Sequence, residues 1–409
     1  MEAIENQQQP LRILVLCNKM PYPSNDGGTI ATLNMIMGLA AQGNYVDVLA
    51  MQTHKHNFPL EKLTNELKHN INWNSVWIDT KISIVGLLKN LFFSNLPYNA
   101  ERFISAEYNM ALKELLKYNY DIIQLEGLYL TSYIETIRKY SKSIISLRAH
   151  NVEQKIWERL AATETNPIKR FYKRILCRRI GMFETQALKQ IDLLVPITRN
   201  DAAQLPFTPE RTYVAPTGIE PQKFSAYKDP VFPKSLFYIG ALDWEPNQEA
   251  VLWFVRKVWT SVHQQHPDWE LHIAGRNAPK KFATELAKYP VVFDGQVQSA
   301  QEFIERHNIM IVPLLSGSGM RIKIIEAMAH SRCVVTTPVG AEGIDAENGR
   351  KILIGKTPDE LKQLILKAIS DADYTQKVAE EAFEYTNANF NNRQIIKGLN
   401  NFYNQCLQR

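Results

Sequence analysis

Ile309-Met310-Ile311-Val312-Pro313, then Leu314-Leu315-Ser316-Gly317-Ser318-Gly319-Met320, then Arg321-Ile322-Lys323-Ile324-Ile325-Glu326-Ala327-Met328-Ala329, is the stretch from which the fold can be read. A short apolar run bounded by Pro313 is a strand, the glycines mark a loop, and apolar residues then recur at helical spacing. Strand, loop and helix in that order form the repeating unit of an open α/β sheet.

The unit recurs on both sides. Leu11 to Cys17 is a strand, followed by a loop with Pro21, Pro23, Gly27 and Gly28 and a helical pattern from Thr29 to Ala41. Tyr45 to Met51, Asp121 to Leu125, Ser143 to Leu147 and Asp192 to Pro196 continue the first series. A proline-punctuated stretch from Pro206 to Pro233 reads as a linker. Beyond it Ser235 to Gly240, Trp269 to Gly275, Val291 to Phe293, Asn308 to Pro313 and Arg332 to Thr336 form a second series, and the segment from Tyr374 is helical in pattern. The expected architecture is α/β, with two doubly wound Rossmann-like domains over 1–210 and 211–385 and a final helical segment over 386–409.

A chain of 409 residues is too long for one ordinary core, which agrees with two domains. The start, Met1 to Pro10, is polar and acidic, unlike a secretory leader, and no charge-free apolar stretch reaches about 18 residues. Cys17, Cys177, Cys333 and Cys406 are far apart, so the expectation is reduced thiols in the cytoplasm, with no zinc knuckle or redox pair. The net charge of +5 selects no partner by itself, and nucleic acid is not among those expected. Its distribution is more informative. Lys169, Arg170, Lys173, Arg174, Arg178 and Arg179 share one segment with Phe171, Ile175, Leu176, Ile180 and Phe183 at helical spacing. Two readings of this basic amphipathic helix stand: a solvated surface helix docked by its apolar stripe, or peripheral contact with an anionic membrane, at its inner face, through Lys169 to Arg179.

Open α/β sheets bind ligands at the carboxyl ends of their strands. The loop after Ile309 to Pro313 is such an end. Gly317 and Gly319 permit close backbone approach, and the helix that follows presents unpaired N–H groups and positive potential, which suits phosphate. Arg321 and Lys323 oppose the helix dipole there, an arrangement that makes sense around a multiply charged anion. Glu326 lies one turn later, about 4.5 Å along the axis, where a carboxylate can receive ribose hydroxyls. The competing reading of Glu326 is an intrahelical pair with Lys323.

Gly317 to Ala329, followed by Cys333-Val334-Val335-Thr336-Thr337-Pro338-Val339-Gly340, resembles the signature of the family 4 retaining glycosyltransferases, the glycosyl transferases group 1. Gly27-Gly28 is similar to the N-terminal glycine loop of that family, Ala215-Pro216-Thr217-Gly218 to its interdomain turn, and Tyr238-Ile239-Gly240 to the strand that opens its donor domain. The resemblance implies a GT-B fold with two domains facing a central cleft, an N-terminal acceptor domain, a C-terminal nucleotide-sugar domain and a last helix crossing back to the first domain. It also implies a donor site of Gly28, Gly240, Gly317, Ser318, Gly319, Met320, Arg321, Lys323 and Glu326, with no metal and no cofactor beyond the nucleoside-diphosphate sugar. The acceptor would be a glycan, a lipid-linked sugar or a small molecule, in polysaccharide or glycoconjugate synthesis. Two features depart from the family pattern. Ser318 stands where many members carry a first glutamate, and Ala241 to Asn247 lacks the cations that often hold the diphosphate, a role passed to Arg321 and Lys323.

In the first series Glu126 and His150 each follow a strand. Glu126 is either a group that orients a sugar or acceptor hydroxyl or a solvated loop acid; His150 is an acid/base or binding group, or a structural histidine. With Arg321 and Lys323 they make up the expected catalytic set. Asp371 and Asp373 read as turn chemistry, and Trp244 and Trp253 as packing residues. The alternatives to transfer are a nucleotide-sugar epimerase of the same build and a catalytically silent scaffold subunit.

Overall fold

The computed structural model describes residues 9–24, 26–220, 233–317 and 319–408. Two compact units emerge: Met1–Gly218 with Asn392–Arg409, and Ile219–Asn391. The first contains β1 (Arg12–Cys17), β2 (Tyr45–Gln52), β3 (Ile71–Trp77), β4 (Ile122–Glu126), β5 (Ile144–Ala149) and β6 (Leu193–Pro196). The second contains β7 (Ser235–Ile239), β8 (Glu270–Ala274), β9 (Val292–Gly295), β10 (Ile309–Val312), β11 (Cys333–Thr336) and β12 (Leu353–Ile354).

The two sheets run β3-β2-β1-β4-β5-β6 and β12-β11-β10-β7-β8-β9. Counted within its own unit, each has the order 3-2-1-4-5-6 with every pairing parallel. The chain reverses direction across the sheet between β1 and β4 in one unit and between β7 and β10 in the other, and a doubly wound sheet opens its ligand crevice at that place. Both units are thus doubly wound domains of the kind the resemblance implies.

β1 shows why the strands read as apolar runs. Leu14 and Leu16 pack on one side with Leu49, Ile123 and Leu125, while Ile13, Val15 and Cys17 pack on the other with Val46, Val48, Ile396, Leu399 and Tyr403. Both faces are covered, so both sets of alternating residues are apolar. The second of these faces is covered partly by the final helix, Asn392–Leu407. Tyr403 is fully buried there, donating to Gln124 Oε1 at 2.7 Å and meeting Ser146 Oγ at 2.9 Å.

The boundaries differ from those expected at 210 and 385. Tyr213 N donates to Leu194 O and Ala215 N to Pro196 O, so the chain after 210 runs on beside β6 and stays in the first unit. The Ala372–Asn389 helix continues past 385 within the second. The middle of the expected linker, residues 221–232, lies outside the described residues. Two edge strands escaped the reading of the sequence: β3 alternates apolar with Asn72 and Asn74, and β12 is two residues long. Phe171 was expected in a docked stripe but is 67% exposed, whereas Leu176 and Ile180 are buried. Trp244 is likewise exposed, because it ends the loop after β7 and precedes the Glu245–Phe254 helix. Asp371 caps its helix by accepting from Tyr374 N at 2.9 Å.

Tyr403→Phe leaves the core shape intact but strips a hydroxyl from two buried polar partners. We expect a loss of about 1–3 kcal/mol, read as a fall in the urea midpoint without a change of slope.

Candidate active site

In the second unit, β7 and β10 end side by side at the switch point. The loop after β10 turns through Gly317 at φ 120° and Gly319 at φ 79°, backbone conformations that only glycine adopts without strain. Arg321 follows as the N-cap of the Ile322–Ala329 helix and folds back, its Nη1 donating to Gly319 O at 2.8 Å. Met320, beside it in the loop, packs its partly buried side chain against the core beneath the helix. Ser318 lies outside the described residues.

Lys323 turns inward to β7. Its Nζ donates to the Tyr238 hydroxyl at 2.9 Å, and no ion pair joins it to Glu326 among the described residues. The intrahelical pair that competed for Glu326 is therefore replaced by a contact between sheet and helix. Gly240 makes room for it, since a Cβ there would lie 2.8 Å from Tyr238 Oη and 2.9 Å from Lys323 Nζ. Burial, reinforced by the neighbouring Arg321 charge, brings the Lys323 pKa down to about 7. Burial also raises the carboxyl of Glu326 above its usual range. Beneath the loop, Thr336 Oγ1 donates to Val312 O at 2.7 Å and Thr337 Oγ1 to Leu314 O, fixing the end of β10.

Gly240, Gly317, Gly319, Arg321 and Lys323 thus meet at one strand-end corner. In the sequence Tyr238 reads only as part of a strand; its contact with Lys323 follows once β7 lies beside the helix. The corner can hold a polyanion, because it joins a helix N-terminus, two cationic side chains and glycine backbone that a ligand can approach closely.

The first unit has its own constellation at the corresponding corner. Register places Glu126 beside Cys17 on β1 and beside Arg148 on β5. Glu126 is not a solvated loop acid, because it is the last residue of β4 and is buried. Its Oε2 receives Thr32 Oγ1 at 3.0 Å and Arg148 Nη1 at 3.2 Å, and meets His150 Nε2 at 2.8 Å; Gln124 Nε2 donates to Oε1. Burial by itself would raise this carboxyl, but Arg148 and His150 outweigh it and bring the pKa down to about 2. Glu126 fixes the orientation of the His150 ring. His150, partly exposed, is the member of the pair that can meet a ligand, and Nε2–H pointing at the carboxylate leaves Nδ1 as the acceptor in the neutral ring.

Gly28 is not in a loop as expected, since the helix begins at Gly27 and places both glycines in its first turn. Asp26 caps that helix, accepting from Thr29 N at 2.9 Å and from Lys19 Nζ at 2.8 Å and meeting His56 Nε2 at 3.0 Å. Burial would raise its carboxyl, but His56 and Lys19 hold it well below the ordinary range. Lys19, Asp26, His56, Thr32 and Arg148 carried no motif in the sequence, and only the fold assembles them.

The stability carried by Glu126 has a defined pH window. Its folded pKa is depressed, so the contribution is complete above the unfolded value near 4.5 and is lost as pH falls towards about 2. Glu126→Gln strands the Arg148 charge. We expect it to cost about 3–5 kcal/mol at neutral pH, with the difference from the parent chain narrowing steadily in melts between pH 4.5 and 2.

Comparison with known proteins bears on the family and the fold. Residues 233–371 match the family described as Glycosyl transferases group 1. A 44.6 kDa protein of the cps region of Klebsiella pneumoniae is 22% identical over 401 residues, covering 95% of this chain and 98% of its own. Sucrose-phosphate synthase of Thermosynechococcus elongatus superposes with a TM-score of 0.71 at 17% identity, over 97% of this chain and 99% of that one. Anabaena HepE, solved with UDP-glucose, gives 0.65 at 13% identity over 96% and 100%. By these matches the chain carries a group 1 glycosyltransferase domain, residues 233–371, within a GT-B fold.

Proposed function

We propose that this glycosyltransferase retains anomeric configuration and moves a hexose from a nucleoside diphosphate to a hydroxyl of a glycan, lipid-linked or small-molecule acceptor. The observation that carries the reading is the Lys323 ammonium, partly buried against Tyr238 and beside Arg321 at a helix N-terminus. A partly desolvated cation with a like charge beside it favours an incoming anion.

The diphosphate lies on the glycine loop and the N–H groups of the Ile322–Ala329 helix, between Arg321 and Lys323. Glu326 receives the ribose hydroxyls from further along the helix. As the bond between the sugar and the diphosphate breaks, negative charge grows on the leaving oxygen, and the two cations stabilise it in place of a metal. The acceptor hydroxyl attacks from the face the diphosphate leaves, and its proton passes to the departing diphosphate oxygen; in the first unit His150, held by Glu126, is a ligand-binding group. UDP-glucose is the first donor to test, since HepE was solved with it. The relative from a cps region favours an acceptor in polysaccharide or glycoconjugate synthesis.

The test is a thermal-shift panel of UDP, GDP and ADP, followed by turnover with the sugar of the nucleotide that binds. Arg321→Ala and Lys323→Ala are expected to lower kcat on the order of 100-fold to 1,000-fold with melting temperature retained. Unaltered turnover in both variants would remove the proposal, and epimerised donor formed without any acceptor would redirect it to an epimerase.

The depressed Lys323 pKa predicts a pH dependence with a definite sign. Above about 7 the free site loses its ammonium proton, so diphosphate affinity falls as pH rises through that value, and binding near pH 8 draws a proton from the buffer. Calorimetry in two buffers of different ionisation enthalpy reads that uptake. Lys323→Met should abolish it.

A further inference from the structure

The Ile84–Phe93 helix turns Asn90 inward, with Leu87 and Leu91 half-buried beside it. Asn90 is 2% exposed, with Nδ2 donating to Leu96 O at 3.0 Å and bonding Glu101. The outward face carries Val85, Leu88 and Phe92, flanked by Ile82 before the helix and by Phe93 at its end. Phe92 is 73% exposed and Phe93 89%. An apolar face this size turned to water in a folded unit marks a docking surface.

What borders it indicates the occupant. Residues 80–98 include Lys81 and Lys89 and no acid. The basic helix Pro167–Leu188 is tied to the same element, for Arg179 Nη1 and Nη2 donate to Asn90 O and Leu91 O at 3.1 and 2.9 Å. Not all the cations of that helix are available. Lys173 pairs with Glu164 at 2.7 Å, Arg170 donates to Glu164 O, and Arg179 is committed to Asn90 and Leu91. Phe171, Arg174, Arg178 and Met182 recur every three or four residues and are all exposed, so one helical face presents apolar and guanidinium groups together. The same face opens into a groove that Lys189 also lines.

We infer that the Ile84–Phe93 and Pro167–Leu188 helices form a docking surface for an anionic phospholipid bilayer. Phe92, Phe93 and Leu88 enter the boundary between head groups and acyl chains, and Arg174, Arg178, Lys81 and Lys89 lie at the level of the phosphates. Apolar side chains rimmed by cations are the composition that an anionic interface selects. The surface lies in the first unit and is independent of sugar transfer.

Vesicle flotation of the full chain tests it, with phosphatidylcholine containing phosphatidylglycerol against phosphatidylcholine alone. The chain is expected to float with the anionic vesicles at low salt and to be released at about 1 M salt, where the screening length falls to about 3 Å. Phe92→Ser with Phe93→Ser, and separately Arg174→Glu with Arg178→Glu, should each lower the bound fraction on the order of tenfold with melting temperature unchanged. Should a double variant fail to fold, the single Phe93→Gln and the salt dependence of the parent chain still decide. No flotation with anionic vesicles at low salt, or flotation that both variants retain, overturns the inference. So does a dimer in solution that the Phe variants dissolve while vesicles remain unbound, since the face would then belong to a second copy.

Discussion

A charge buried at the carboxyl edge of a parallel sheet has to be balanced by something, and both units are organised around that requirement. In the first the charge is the Glu126 carboxylate, and the protein supplies the balance itself through Arg148, His150, Thr32 and Gln124. In the second it is the partly buried Lys323 ammonium, which donates to the neutral Tyr238 hydroxyl and has the Arg321 cation beside it. The opposite outcomes follow from this asymmetry. A balanced buried ion fixes geometry, while an unbalanced one lowers its own pKa and favours an incoming anion.

The Glu126 network also ties the ends of the chain together. Tyr403 of the last helix donates to Gln124, Gln124 donates to Glu126, and Glu126 meets His150. A helix some 240 residues or more downstream of β4 and β5 thereby orients a side chain at their carboxyl edge. Each member of the relay is buried apart from His150, so the only place where it meets solvent is the imidazole. Partly satisfied networks of this kind are costly and fully satisfied ones specify one arrangement.

Much of this was legible in the sequence, and what was not has a common physical cause. Central strands announce themselves because both their faces are buried, so Ile309 to Val312 and Ile13 to Cys17 are apolar throughout. Edge strands do not, and β3 with its Asn72 and Asn74 reads as neither strand nor helix. The glycine loop and the Arg321, Lys323 and Glu326 spacing are local and were visible. Tyr238, Arg148 and Thr32 act through contacts made by sheet register and layer packing, and no window of sequence contains both partners. Glu126 was visible as an acid after a strand, but its burial depends on β1 and β5 lying on either side of it, which is a property of the strand order alone.

The same reasoning explains why the Ile84–Phe93 helix drew no notice in the sequence. An amphipathic pattern tells which residues share a face but not which face is turned inward, and burial of the apolar side is the usual outcome. Here Asn90 settles the orientation. Its amide bonds Leu96 and Glu101 while its carbonyl groups receive Arg179, and these contacts require Asn90 to face the interior. Once one polar side chain is fixed inward, Val85, Leu88 and Phe92 have no alternative to the surface, because a ten-residue helix cannot turn both faces to the core. A single buried amide therefore decides that the largest apolar side chains of this segment meet the solvent.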